Sequence, residues 1–248
     1  MGISAEGRAV DPVAPAPFVS VPLIAEEAAE LSRHFEGADP REVLRWAVSA
    51  FPEGRVAMSS TFGPSGMILI HMLAEEGIRI PVLFVDTLHH FPETLEHAER
   101  VREHYGIDLR TFPAAESREA FEARHGERLW ERDEELFHQF TKVEPMRRAL
   151  DGFEGWISGR RRDQSESRAG IPIVEKNGHT KVNPLALWTL DQVWEFIMVN
   201  RVLYHPLHDE GYASIGDEPL TTPTLPGEHE RAGRWRGGTR TECGLQNL

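Results

Sequence analysis

Apolar residues between positions 23 and 200 follow two patterns, short continuous runs and helical repeats. Continuous runs occur at 55–60, 80–86, 107–112 and 155–159, and such runs are typical of buried strands. Apolar residues at helical spacing predict helices at 23–35, 40–48, 67–74, 92–104, 121–136, 144–150 and 190–200. Strands that alternate with helices in this way predict an α/β fold, a Rossmann-like parallel sheet flanked by helices.

The two ends of the chain differ from this alternating region. Residues 1–20 are rich in proline and alanine, a composition that favours an extended, poorly ordered tail. We expect a single α/β domain over residues 21–230 and a mobile C-terminal tail over residues 231–248. A length of 248 residues is ample for one large α/β domain.

Composition excludes several classes of protein. No apolar run approaches the roughly 18 residues that a membrane span needs, and the N-terminus has no pattern of a secretory signal. One cysteine in the whole chain argues against an oxidising compartment, so a cytoplasmic protein is expected. A net charge of −13 argues against binding to nucleic acid or to an anionic membrane. Any anionic ligand must therefore be held by a local cluster of cationic residues.

The segment Ser59 to Gly66 lies between the first predicted strand and the helix that follows. Hydroxyl groups and free backbone N–H groups at a helix N-terminus form an anion site, so a phosphate fits here. The segment lacks the lysine of a GxxxxGK[ST] loop and the spacing of GxGxxG. An ordinary turn rich in glycine and serine is the alternative interpretation.

Asp86 follows the second predicted strand, where a carboxylate in an open α/β sheet can accept hydrogen bonds from ribose hydroxyls. Its alternative role is that of a helix N-cap. His89 and His90 are adjacent in sequence, and no third residue has the spacing of a metal ligand. We therefore interpret both histidines as structural.

The segment Gly159 to Arg168 carries four arginines within nine residues of an acidic protein. The planar guanidinium group suits phosphate and sulfate oxygens, which favours an anion site. A solvated basic loop is the alternative.

The lone cysteine, Cys243, follows a C-terminal stretch that contains Arg231, Arg234, Arg236 and Arg240. Cationic neighbours favour the thiolate, which is the nucleophilic form of cysteine. A free surface cysteine without a role is the alternative.

Taken together, these stretches resemble the phosphoadenylyl-sulfate (PAPS) and adenylyl-sulfate (APS) reductases, which reduce activated sulfate to sulfite. The resemblance extends from about residue 23 to residue 245 and implies an adenine nucleotide alpha-hydrolase-like fold with a modified PP-loop. It is carried by Ser59–Gly66, by Asp86-Thr87 with Phe91–Thr94, by Lys142–Met146, by Gly159–Arg168, by Tyr204–Tyr212 with Ser214–Asp217, and by Glu242–Leu245.

The resemblance also implies roles for single residues. Ser59, Ser60, Gly63 and Asp86 would hold the adenosine part of the substrate. The sulfate and phosphates would be held by Lys142, Arg161, Arg162, Arg231 and Arg234. Cys243 would be the nucleophile that forms an enzyme S-sulfocysteine, and thioredoxin or glutaredoxin would then release sulfite. Members of the family are often dimers or larger, which suggests a homodimer.

Departures from the family's pattern bear on its cofactor and substrate. Members with a [4Fe-4S] cluster carry cysteines where this chain has Phe137-His138 and Asp217–Leu220, so a cysteine-ligated cluster is excluded. Loss of the cluster usually accompanies PAPS as substrate, which favours a PAPS reductase that uses thioredoxin.

Three alternatives stay open. Residues 218–231 look closer to the APS type with its cysteines replaced, which keeps a cluster-free APS reductase as one of them. The others are an adenylyltransferase or ligase of the wider PP-loop superfamily and a nucleotide-binding module without enzymatic activity. Neither of these two would need the Glu-Cys-Gly-Leu sequence near the C-terminus.

Overall fold

The computed structural model describes residues 23–236 together with residues 242, 244, 245 and 248. The strands found there are β1 (Val56–Ser59), β2 (Pro81–Asp86), β3 (Asp108–Pro113), β4 (Gly155–Ile157), β5 (Val174–Asn177) and β6 (His179–Val182). They form one sheet in the order β3-β2-β1-β4-β6-β5, and all neighbouring pairs are parallel except β5 with β6. The predicted parallel sheet is confirmed, whereas the predicted tail at residues 1–20 lies outside the described residues.

Helices cover both faces of this sheet. They are α1 (Ala25–His34), α2 (Pro40–Ser49), α3 (Pro64–Glu75), α4 (Pro92–Tyr105), α5 (Arg118–His125), α6 (Glu134–His138), α7 (Glu144–Ala149) and α8 (Leu190–Asn200). A π-helical turn, Gln139–Val143, joins α6 to α7. Short 3-10 helices occur at Leu129–Glu131, Arg162–Gln164, Glu166–Arg168, Pro206–Glu210 and Glu218–Leu220. No helix in the described part of the chain is long and apolar enough to cross a membrane.

The helix predicted at 121–136 is wrong as one continuous element. The first helix of this region, α5, ends at His125. Gly126 follows with φ of 80°, a backbone conformation that residues other than glycine rarely adopt. The next full helix, α6, begins after Asp133, whose side chain accepts a hydrogen bond from the backbone N–H of Leu136 at 2.9 Å.

The hairpin of β5 and β6 was not predicted, because its strands have only four residues each and contain charged side chains. Its turn contains Asn177-Gly178, and Gly178 has φ of 71°. Asn-Gly is the strongest short-range hairpin signal in a sequence. The signal for this hairpin was therefore present in the residues of the turn and not in those of the strands.

Two apolar clusters bury the two faces of the sheet. Val56 and Met58 of β1 belong to the larger cluster, with residues of α1, α2, α3, α4 and α8. Ala57, between them in β1, belongs to the smaller cluster with Met146 and Leu150. Successive side chains of a strand point to opposite faces of the sheet, so alternate residues of β1 enter different clusters. Both faces of β1 are therefore covered by apolar side chains.

The strand order places β1 between β2 and β4. The connection after β1 therefore leads to one side of the sheet and the connection after β4 to the other. Ligands of open α/β sheets bind at such a point.

The buried side of α4 contains a histidine whose protonation is costly. His97 is 1% exposed, and its ring packs against those of Phe62 and His205 at centroid distances of 6.2 and 5.3 Å. Burial lowers the pKa of His97 to about 4 and that of His205 to about 3. Both values lie below the ordinary histidine pKa of 6.5.

We expect the free energy of unfolding to decrease as the pH falls from about 6.5 towards 4, because the unfolded chain then binds protons that the folded chain excludes. His97→Phe should flatten this dependence in denaturant titrations across that range. His104→Gln, which changes an exposed histidine of the same helix, is the control and should keep the full slope. If the unmodified protein, His97→Phe and His104→Gln all showed the same dependence on pH, the low pKa of His97 would be contradicted.

Candidate active site

A cavity of about 260 Å³ lies at the carboxyl ends of the central strands. Its walls are the loop after β1 with the first turn of α3, the segment after β4, the π-helical turn, and two segments at residues 213–217 and 230–235. It lies at the point where the connections after β1 and β4 lead to different sides of the sheet.

The loop after β1 is held in a tight reversal. The Ser60 hydroxyl accepts a hydrogen bond from the backbone N–H of Phe62 at 2.9 Å, and Phe62 has φ of 58° although its side chain is fully buried. A left-handed conformation costs roughly 1–2 kcal/mol for such a residue, and packing against Phe84 offsets it. The reversal places the first turn of α3 at the cavity, where Gly63 leaves the N-terminus without a side-chain cap. Uncapped N–H groups at this position suit an anion.

The loop after β4 approaches this helix closely. A Cβ atom on Gly159 would lie 3.0 Å from the backbone nitrogen of Gly66 and 3.1 Å from the carbonyl carbon of Ser65. Both distances are shorter than ordinary van der Waals contacts, and both are to backbone atoms. A side chain at position 159 would therefore push the two loops apart by a few tenths of an ångström, and glycine lets them meet without this shift.

Arg161 joins three segments of the cavity wall, although it is only 1% exposed. Its Nη1 donates to the Ser65 hydroxyl at 2.6 Å, its Nη2 to the Glu230 carboxylate at 3.0 Å, and its Nε to Asp163 at 2.9 Å. These partners come from α3, from the C-terminal segment and from Arg161's own loop. The guanidinium therefore positions the loops that surround the ligand space.

Lys142 lies on the opposite wall in the π-helical turn. Its Nζ lies 2.5 Å from a carboxylate oxygen of Asp217, which is fully buried, and the Thr87 hydroxyl donates to the other oxygen at 2.8 Å. Burial alone would raise the pKa of Asp217, but the Lys142 charge and the nearby His138 side chain hold that pKa well below its ordinary value. The carboxylate is thus ionised, and it fixes the Lys142 ammonium at the cavity.

The remaining cations come from the segments after β4 and before the C-terminus. Arg231 and Arg234 lie on Trp235, with their guanidinium carbons 5.4 and 4.6 Å from its ring centroid. Arg160 and Arg168 also line the cavity, so that it has six cationic side chains and two carboxylates, those of Asp217 and Glu230. A cavity with this balance favours an anionic ligand, although the chain as a whole carries a charge of −13.

Seven of the residues proposed from the sequence come together at this cavity: Ser59, Ser60, Gly63, Lys142, Arg161, Arg231 and Arg234. Asp86 and Arg162 are not among the lining residues. The Asp86 carboxylate accepts from the backbone N–H of Leu88 at 2.8 Å, and Arg162 donates to Glu36 at 2.6 Å. No site role was predicted from the sequence for Asp217, Glu230 or Trp235. Asp217 and Glu230 are distant in sequence from Lys142 and Arg161, the cations that they contact.

Cys243 lies outside the described residues. Its neighbours Glu242 and Leu245 are described, and both contact the cavity region. Leu245 is one of the lining residues, and the Glu242 carboxylate accepts from Arg168 Nε at 2.7 Å.

His89 and His90 make contacts typical of structural residues. His89 lies with its Nδ1 2.7 Å from the carbonyl oxygen of Thr87, and His90 stacks on Phe84 at 5.0 Å. Burial lowers the pKa of His90, which keeps its ring neutral. Among the described residues, no group of three histidine, cysteine, aspartate or glutamate side chains could hold a metal ion.

The positions that carry cysteines in cluster-bearing reductases also meet in the structure. Phe137 is fully buried in an aromatic cluster to which Leu220 adds, and the His138 Nε2 lies 3.8 Å from an oxygen of Asp217. These are aromatic, imidazole and carboxylate groups without a thiolate, so the residues present do not fit an iron–sulfur cluster.

The sheet, the loop at the start of α3 and the cation-lined cavity define an α/β protein with the Rossmann-like, adenine nucleotide alpha-hydrolase-like fold of PP-loop proteins. At the level of fold alone, the structure is similar to that of FMN adenylyltransferase from Candida glabrata, with a TM-score of 0.56 and 15% identity over 80% of this chain and 75% of the other. The family described as the phosphoadenosine phosphosulfate reductase domain matches residues 55–223, and the chain belongs to this family of sulfonucleotide reductases.

Relatives of the chain include reductases of both substrate types. It is 40% identical to phosphoadenosine phosphosulfate reductase of Emericella nidulans, over 88% of this chain and 74% of the relative. It is 37% identical to adenosine 5'-phosphosulfate reductase of Halalkalibacterium halodurans, over 87% of this chain and 95% of the relative. The crystal structure of PAPS reductase from Candida auris, a phosphate complex, matches with a TM-score of 0.73 and 35% identity, over 82% of this chain and all of the other. The predicted oxidoreductase family is confirmed.

The buried ion pair of Lys142 and Asp217 yields a prediction about stability. Asp217→Asn keeps the shape of the side chain but leaves the Lys142 ammonium without its counter-ion. We expect the free energy of unfolding to decrease by about 3–5 kcal/mol in urea titrations, because an uncompensated charge is left in a buried position.

Asp209→Asn changes an exposed carboxylate and serves as the matched control, with an expected change within about 0.5 kcal/mol. If the two variants were equally stable, the ion pair would have no structural importance.

Proposed function

We propose that this chain reduces PAPS, with the Cys243 thiolate as the nucleophile and the nucleotide bound in the cation-lined cavity. One observation carries the proposal. Glu242 and Leu245, which lie on either side of Cys243 in sequence, both contact the wall of that cavity. A thiol between two such contacts has a short path to a ligand bound there.

In this proposal the two walls of the cavity hold different parts of the substrate. Ser59, Ser60 and Gly63 at the start of α3 hold the adenosine part, and Asp86 supports this side through its turn. Lys142, Arg231 and Arg234 bind the sulfate and phosphate oxygens, and Arg161 keeps the two walls together. Cations at these positions offset the repulsion between a thiolate and an anionic sulfate.

The first chemical step transfers the sulfonate group to the enzyme. The Cys243 thiolate attacks the sulfur atom of the activated sulfate, and a sulfur–sulfur bond forms. The bond from that sulfur to the bridging oxygen breaks, and its electron pair leaves with adenosine 3',5'-bisphosphate. Lys142 and the arginines stabilise the negative charge that develops on this phosphate. The product on the enzyme is S-sulfocysteine.

The second step needs an external dithiol, for which we propose thioredoxin, with glutaredoxin as the other candidate. A thiolate of this partner attacks the Cys243 sulfur, and sulfite leaves with the electron pair of the sulfur–sulfur bond. The partner's second thiol then attacks the resulting mixed disulfide. This regenerates the Cys243 thiolate and leaves the partner oxidised to a disulfide, so the dithiol supplies the electrons that reduce sulfate to sulfite.

The charge of the cavity favours PAPS over APS as the substrate, because PAPS carries an additional phosphate group and six cationic side chains line the cavity. The similarity to the Halalkalibacterium halodurans enzyme, whose name specifies adenosine 5'-phosphosulfate, keeps APS as the second candidate.

Sulfite formation should be measured side by side with PAPS and APS, with thioredoxin as reductant. We expect kcat/KM to be roughly 10- to 100-fold higher for PAPS, the range that one additional charged hydrogen-bonded group can supply. Equal values, or a higher value with APS, would contradict the choice of PAPS.

Cys243→Ser is the control for the mechanism in the same experiment. It should form no sulfite from either substrate, whereas its dissociation constant for adenosine 3',5'-bisphosphate should equal that of the unmodified protein. Sulfite production by this variant would exclude Cys243 as the nucleophile.

A further inference from the structure

The carboxylate of Glu242 lies in a cradle formed by a short segment after β4. Arg168 donates to it twice, from Nε at 2.7 Å and from Nη2 at 2.5 Å. The hydroxyls of Ser165 and Ser167 each donate to it at 3.1 Å. Arg231 Nη2, from the other wall of the cavity, lies 3.6 Å away. Side chains from two segments thus converge on one carboxylate.

This carboxylate is charged and only slightly exposed to solvent. The side chains of Arg168 and Glu242 are 14% and 10% exposed, so water and salt screen their attraction less than they screen a surface pair. Burial alone would raise the pKa of Glu242, but Arg168 and Arg231 bring it below its ordinary value. The ion pair therefore persists at neutral pH.

We propose that Glu242 is a positioning residue, whose carboxylate docks the C-terminal tail on Arg168 and the serines of the 165–168 segment and so keeps Cys243 at the cavity during its attack on the substrate. The inference rests on the proposed function, because it takes Cys243 as the nucleophile.

The geometry of the contact supports a docking role rather than simple charge attraction. A carboxylate that accepts two parallel hydrogen bonds from one guanidinium is fixed in direction as well as in place. Consecutive Cα atoms are about 3.8 Å apart, so an anchored Glu242 restricts the residue that follows it.

A second contact lies on the other side of the cysteine. Leu245 lines the cavity and packs against the apolar cluster that contains Met146. A nucleophile between two anchored residues loses less freedom on reaching the transition state, which accelerates the reaction.

Two variants separate docking from general stability. Glu242→Gln keeps the shape of the side chain and removes its charge, whereas Glu242→Asp keeps the charge on a shorter side chain. The matched control is Glu76→Gln, which removes a carboxylate paired with Arg45 at 2.7 Å between α2 and α3, away from the cavity.

The first measurement reports on docking without any chemistry. Because Cys243 is the only cysteine, a thiol-reactive fluorophore labels that position alone. We expect the fluorescence anisotropy of the label to decrease in Glu242→Gln, to recover in part in Glu242→Asp, and to be unchanged in Glu76→Gln.

The second measurement uses unlabelled protein. In Glu242→Gln, kcat for sulfite formation should decrease roughly 10- to 100-fold, while the dissociation constant of adenosine 3',5'-bisphosphate stays the same. If Glu242→Gln left either the anisotropy or kcat unchanged, the docking role would be overturned. The same holds if this variant lowered only the melting temperature and changed neither the anisotropy nor kcat.

The two proposals fail in different ways. If the unmodified protein forms no sulfite but Glu242→Gln still lowers the anisotropy, the reductase function is wrong, and the tail is docked for another purpose. If the unmodified protein forms sulfite and Glu242→Gln retains the full kcat, the reductase function stands and the docking role is wrong.

Discussion

The cavity depends on one buried guanidinium, that of Arg161, more than on any other single group. The loops at the carboxyl edge of the sheet have little regular structure, and Arg161 joins them through Ser65, Asp163 and Glu230. Its removal would leave the Glu230 carboxylate, whose side chain is 8% exposed, without this partner, which is costly in a buried position. Arg231 follows Glu230 directly and Arg234 lies four residues after it, so the same contact also positions the segment whose cations face the ligand space.

The site shows how an acidic chain can concentrate cationic side chains in one cavity. Three of the cavity's cations are paired with a buried or half-buried carboxylate: Lys142 with Asp217, Arg161 with Glu230, and Arg168 with Glu242. Each carboxylate reduces the repulsion among neighbouring cations and holds its partner in a fixed direction. Groups that are fixed before the substrate arrives need no reorganisation during the reaction, which is the main source of electrostatic catalysis.

The sequence predicted the sheet and most helices, since buried parallel strands leave continuous apolar runs and helices leave repeats. The arginine-rich segment after a predicted strand pointed to Arg160, Arg161 and Arg168, whereas Lys142, Arg231 and Arg234 were expected from the family resemblance. The sequence could not distinguish Arg161 from Arg162. At an extended residue successive side chains point to opposite sides, and Arg161, with φ of −128° and ψ of 152°, faces the cavity while Arg162 contacts Glu36. Asp217 and Glu230 were missed because an isolated carboxylate in a polar loop resembles a surface residue until the fold buries it.

The central claim is that this cavity presents an activated sulfate to Cys243. Intact-protein mass measurement after mixing the protein with PAPS, in the absence of any reductant, tests it most directly. The account predicts that the protein gains the mass of one SO3 group, that peptide mapping locates it on Cys243, and that added thioredoxin removes it with release of sulfite. An unmodified mass, or a modification at another residue, would contradict the account.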